Sequence, residues 1–144
     1  MHCRTMTKRL IRSSRQRHGH RLTVSQCRRT VRYICRETLY HAGQEKGYTA
    51  SEEEVQNIID TELEWENGAD GQEYFQAYLD ELGMTAEEYW DSQRPLLAKE
   101  IVIGKYLDAE KEQSGLTDET EWQTYEKKLV QTLLEQDGIT YTIQ

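Results

Sequence analysis

Apolar side chains recur at helical spacing through five stretches of this chain. Residues 23–46 carry Val24, Cys27, Val31, Ile34, Cys35, Thr38, Leu39 and Ala42 at the intervals that line one face of a helix. Residues 52–66 repeat the pattern with Val55, Ile58, Ile59 and Leu63, and place Trp65 near the end as a rim anchor. Residues 71–82 gather Tyr74, Phe75, Tyr78, Leu79 and Leu82 into one aromatic face. Residues 86–113 are the longest segment. Tyr89, Trp90, Leu96, Leu97, Ile101, Ile103, Gly104 and Leu107 span a wide arc of it, which predicts a central helix touched from more than one side. Pro95 lies inside this segment and predicts a kink near Asp91–Arg94 or a break into two helices. Gly104 is expected to let a neighbouring helix approach closely. Residues 119–136 close the series with Trp122, Tyr125, Leu129, Val130, Leu133 and Leu134 at near-heptad spacing. Ile139 to Ile143 then alternates with period two, as a half-buried strand does.

The joints between these stretches share one grammar. Gly47 stops a helix, because a residue without Cβ enters the left-handed region cheaply. Ser51 and Glu54 then form an S-x-x-E capping box at the next start. Asn67-Gly68 before Asp70-x-x-Glu73, Gly83 before Thr85-x-x-Glu88, and Gly115 before Asp118-x-x-Glu121 repeat the arrangement. Thr23-x-x-Gln26 opens the first helix in a similar way. The expected fold is therefore all-α: an irregular bundle of about five helices with short capped joints and a short C-terminal strand.

Composition agrees with one domain. The chain has 144 residues, a single proline, and nine Tyr with three Trp to add buried area to a modest apolar fraction. Charge divides it in two. Residues 1–36 carry +11 and no acid, whereas residues 37–144 carry −19, giving the net −8. Residues 1–22 have too few apolar side chains to offset the entropy of ordering and read as a basic, disordered arm, leaving 23–144 as the helical domain. Dense arginine is also the chemistry of a nucleic-acid tail. The arm lacks the interleaved aromatics of a single-strand binder, and the acidic chain behind it repels polyanions.

No metal or cofactor is expected. Cys27 and Cys35 fall on the apolar stripe and read as core residues. A zinc site built from His18, His20, Cys27, Cys35 and His41 matches no compact ligand spacing. Cys35 and His41 stand six apart on one helix and point to different faces, which disfavours a nucleophile pair. The carboxylates sit at helix starts and on solvent faces, with no Glu-x-x-His pair. No run is apolar enough for a membrane span, and the basic start lacks the apolar core of a signal peptide, so a soluble, non-exported chain is expected.

The run Ile34–Ile59, ICRETLYHAGQEKGYTASEEEVQNII, resembles the N-terminal helical domain of SurA-type and PrsA-type extracytoplasmic chaperones. In that superfamily a helix ends in an A-x-x-x-G-hydrophobic turn before a Ser/Thr-acidic-Glu-Val start. Here Ala42, Gly47-Tyr48 and Ser51-Glu-Glu-Glu54-Val55 match it. Leu82-Gly83-Met84-Thr85-Ala86-Glu87-Glu88-Tyr89-Trp90 is similar to the family's next joint, and the likeness covers about residues 31–144. It implies a helical domain that holds unfolded or extended polypeptide in an apolar cleft, without cofactor or covalent chemistry, in an extracytoplasmic setting. The Arg-rich stretch stands where family members carry an apolar signal and a strand. No parvulin module is visible, so prolyl isomerase activity is not expected.

The side chains suited to such binding are Trp65, Tyr74, Tyr78, Tyr89, Trp90, Trp122 and Tyr125, which give broad contact at low entropic cost. Taken singly, each reads first as a bundle-core residue, and as a set some of them are expected to stay exposed in a cleft. The acidic surface favours basic or neutral clients. Two other readings stay open: a helical interaction module whose partner supplies a strand beside Ile139–Ile143, and a nucleic-acid-associated protein using the arm.

Overall fold

The computed structural model describes residues 24–68 and 72–137, with side chains described from Arg29 onward. Within them the chain forms five helices and no strand: α1 Val24–Glu45, α2 Glu52–Glu66, α3 Gln72–Leu82, α4 Ala86–Ser114 and α5 Glu119–Gln136. The all-α expectation is met, and each helix boundary falls within one residue of its apolar pattern. The basic arm, Thr23, Asp70 and the alternating segment Ile139–Ile143 lie outside the described residues.

Local chemistry sets the helix ends. Ser51 and Thr85 each accept from the backbone N–H three residues on, and Glu54 and Glu88 accept from the cap's own N–H at 2.9 Å. Both capping boxes are complete. Asp118 caps α5 alone, accepting from the N–H groups of Thr120 and Glu121. Glu121 does not reach back, so this joint is a simple cap. At the other ends, Gly47 N–H donates to the Gln44 carbonyl while Tyr48 N–H donates to the Gly43 carbonyl. Gly83 and Met84 repeat this pair of bonds onto Asp80 and Leu79. These are Schellman stops, and φ of +85° at Gly47 and +67° at Gly83 explains why glycine stands there. The end of α2 differs. Asn67 stays right-handed and donates back to Leu63, so Asn67-Gly68 supplies no left-handed stop.

Helix α4 is the axis of the molecule. Its first half packs on α2, where Val55, Ile59 and Trp90 are buried with Leu97, Ala98 and Ile101 against them. Its second half packs on α1 and α5, where Leu39, Ala42, Ile103, Tyr106, Val130 and Leu134 form the larger core. The wide apolar arc of α4 thus has a physical cause: different turns face different neighbours. Cys35 lies half-buried against the larger core, as its place on the stripe predicts.

Two features of α4 bear on the sequence reading, one removing an alternative and one correcting an expectation. The helix runs unbroken through Pro95, which rules out a break into two helices. Proline deprives the Asp91 carbonyl of its usual donor, and both residues are exposed, so solvent can take that place. Gly104, in turn, is not a close-approach residue, since a Cβ there would meet nothing within 4 Å. The close approach is made by Gly43 of α1, where a Cβ would lie 2.8 Å from Val102 Cγ1 and 3.2 Å from the Val102 carbonyl oxygen.

Polar side chains tie the joints to this axis. Lys105 donates to Glu54 at 2.6 Å and to the Thr49 carbonyl at 2.7 Å, pinning the α1–α2 turn onto α4. Arg94 donates to Gln56 at 2.7 Å and holds α2 alongside.

Candidate functional site

The aromatic residues of α3 divide between two faces. Leu79 is buried and Phe75 half-buried against α4. Tyr74, Tyr78 and Leu82, at i, i+4 and i+8, instead form a stripe that leaves them 75%, 42% and 44% exposed. The expected single aromatic face is therefore two stripes, one inward and one outward. This 11-residue helix buries its inner stripe, and among the described residues the outer one stays largely uncovered.

A layer of rings supports this stripe from beneath. Tyr89 meets Phe75 edge-on at 5.7 Å between centroids, Tyr78 at 5.8 Å and Trp90 at 5.2 Å. Edge-to-face contacts of this kind place the positive ring edge against a negative ring face and fix orientation. Tyr78 thereby stands on a rigid base while its outer side remains open. Trp65, on the last turn of α2, is 65% exposed.

Five of the seven aromatic residues singled out from the sequence thus belong to the α2–α3–α4 end. Only Trp65, Tyr74 and Tyr78 offer substantial open surface there. Tyr89 is half-buried and Trp90 is core. Trp122 and Tyr125 lie elsewhere, on α5, stacked on each other at 5.6 Å. Trp122 is buried under the Lys111 ammonium, which sits 5.5 Å from its ring, and Tyr125 donates to Glu110 at 3.2 Å. These two join α5 to α4. Spacing groups Leu82 with the rest of the α3 face and does not reveal its exposure, because the outer stripe of α3 differs from the inner one by a single position.

The electrostatics of this end are acidic. Helix α3 carries Glu73, Asp80 and Glu81 and no basic residue. Beneath the rings, Glu66 is only 8% exposed. Burial pushes its carboxyl above the ordinary range, the facing Trp90 indole N–H draws it down, and the nearby Glu62 raises it. Glu66 Oε2 and Trp90 Nε1 are sealed from solvent, and neither makes a hydrogen bond of normal geometry. Burial also raises the Tyr89 hydroxyl, with Tyr78, Glu66 and Glu62 adding to the shift.

A second open surface was missed in the sequence. Arg29, Arg32, Tyr33 and Arg36 of α1 face Leu96, Lys99, Glu100 and Ile103 of α4 across a groove of ≈ 720 Å³. Each helix contributes an i, i+3, i+4, i+7 stripe. Tyr33 and Leu96 are 64% and 54% exposed. Arg36 pairs with Glu100, and Lys99 donates to Glu37 at 2.6 Å. Arg29 and Arg32 are exposed and make no ion pair among the described residues. The sequence signal was Tyr33 standing beside a repeated arginine, off the main apolar stripe.

Among the described residues, no cluster of three or more His, Cys, Asp or Glu could hold a metal ion. Of the zinc candidates, Cys35 packs on the core and His41 is exposed against the Tyr40 ring. His18 and His20 lie outside the described residues, as does the side chain of Cys27. No described helix is long and apolar enough to cross a membrane. Compared with protein-family models, curated proteins and solved structures, the chain matches none.

Proposed function

We propose that this protein binds unfolded or extended polypeptide, in the manner of the SurA/PrsA-type helical domain that its joints resemble, and that it does so without catalysis. The observation that carries this reading is the outward stripe of Tyr74, Tyr78 and Leu82, with Trp65 exposed on the preceding helix. Large amphipathic rings on a firm base give adaptable apolar contact while keeping a polar tip in water. Exposed apolar side chains that share one helix face are a recurrent mark of interaction sites. The acids of α3 add selectivity, favouring basic or neutral segments over acidic ones.

The test is fluorescence anisotropy of a labelled, permanently unfolded basic polypeptide, beside an acidic one and a single-stranded oligonucleotide. Salt-tolerant binding of the basic polypeptide, retained without residues 1–22, supports the proposal. Binding to the oligonucleotide alone, lost with salt or with the arm, overturns it in favour of a nucleic-acid role for the arm.

A further inference from the structure

The molecule carries two open apolar surfaces of opposite charge. One is the α1–α4 groove, lined by Tyr33 and Leu96 together with Arg29 and Arg32, which make no ion pair among the described residues. The other is the outward stripe of α3, Tyr74, Tyr78 and Leu82, on a helix with three acids and no base. We propose that the groove receives α3 of a second copy of this chain, so that the protein associates head to tail.

The two surfaces match in form and in charge. A groove between two packed helices is the usual receptor for an amphipathic helix, which inserts residues one turn apart. The α3 stripe has that spacing. The groove's internal charges cancel in the Arg36–Glu100 and Lys99–Glu37 pairs. That leaves Arg29 and Arg32 as a surplus of positive charge, and Glu73, Asp80 and Glu81 supply its complement. A chain of net charge −8 otherwise repels its copies, so association must be local and oriented to occur at all.

The match is between copies and not within one. Helix α3 is held through Phe75 and Tyr78 at Tyr89 and Trp90, while the groove uses the α4 positions Leu96, Lys99, Glu100 and Ile103. Those positions face away from the α2 side of α4, which is marked by Leu97, Ala98 and Ile101. Groove and stripe are different patches, so the contact is heterologous and leads to rings or open chains. This inference does not rest on the polypeptide-binding reading. If both hold, association covers the same stripe that receives clients, and the two compete.

The test is sedimentation of the full chain over a range of concentrations, with no polypeptide added. Two variants of exposed residues are compared: Arg29→Glu with Arg32→Glu in the groove, and Tyr74→Ser with Tyr78→Ser and Leu82→Ser on the stripe. Circular dichroism checks that both keep their helices. The wild type is expected to associate, and moderate salt to weaken it by screening the exposed arginines. Each variant alone is expected to associate at least roughly tenfold more weakly. An equimolar mixture is expected to recover a pairwise complex, because each variant retains the surface that the other lacks. A monomeric wild type at all concentrations overturns the proposal. So does association that both variants preserve, or that is lost only when residues 1–22 are removed.

Discussion

Gly43 of α1 lies so close to Val102 of α4 that a Cβ on it would come within 2.8 Å of the valine methyl. The contact brings the two helix backbones together beside the larger core and sets how Leu39 and Ala42 meet Ile103 and Tyr106. Gly43→Ala is therefore expected to destabilise. Overpacking costs about 1–3 kcal/mol, against a helix-propensity gain of about 1 kcal/mol. Gly104→Ala is the control: nothing stands within 4 Å of its Cβ, so only the propensity gain remains. Urea unfolding should move the two midpoints in opposite directions. Equal shifts would show that the α1–α4 packing is not as tight as the geometry states.

The capping boxes offer a second check. Ser51→Ala and Thr85→Ala each remove a side-chain acceptor from an orphan N–H and should each cost about 1 kcal/mol. The sites head different helices, so the double variant should lose the sum. Glu54 also pairs with Lys105, which holds its carboxyl below the ordinary range. Its contribution is present at neutral pH and fades as pH falls through that lowered value. Glu54→Gln should accordingly loosen the α1–α2 turn, read as faster amide exchange at Tyr48–Ala50.

Glu66 gives a pH dependence of the opposite sign. Its folded-state carboxyl is raised by burial, so between the ordinary and the raised value the folded protein holds a proton that the unfolded chain has released. Stability from this group is full below the ordinary carboxyl range and is lost as pH rises through the raised value. Glu66→Gln removes the titration. The variant should melt higher than the wild type at neutral pH, with the difference closing on acidification. A lower melting temperature at neutral pH would mean that the carboxylate makes a favourable contact with the Trp90 indole.

For the proposed polypeptide site, Tyr74→Ser with Tyr78→Ser should weaken binding of an unfolded basic polypeptide by roughly tenfold or more, since truncating exposed interface aromatics commonly costs over 1 kcal/mol. Trp122→Phe and Tyr125→Phe should leave affinity unchanged, because these rings serve the α4–α5 contact. If the α5 variants lose affinity and the α3 variants do not, the site lies at the wrong end of α4.

The sequence by itself determined the helices. Their periodicity, the glycines at positions 47, 83 and 115, and the serine, threonine and aspartate caps act over four or five residues, so the linear chain contains all the information they need. It also marked α4 as central, because an apolar arc too wide for one neighbour implies several. What only the tertiary structure decided is which apolar side chains stay outside. Tyr74 and Phe75 are adjacent, and both suit a core. Phe75 went inward because Tyr89 and Trp90 meet it there, and Tyr74, on the other side of the helix, stays exposed among the described residues. Likewise Gly43 and Gly104 are both mid-helix glycines, and only the helix crossing makes one of them indispensable. The α1–α4 groove was equally hidden, since its walls come from residues some sixty positions apart that no local pattern relates. Burial is a property of the surfaces that meet, and a helix's own sequence fixes its faces but not its neighbours.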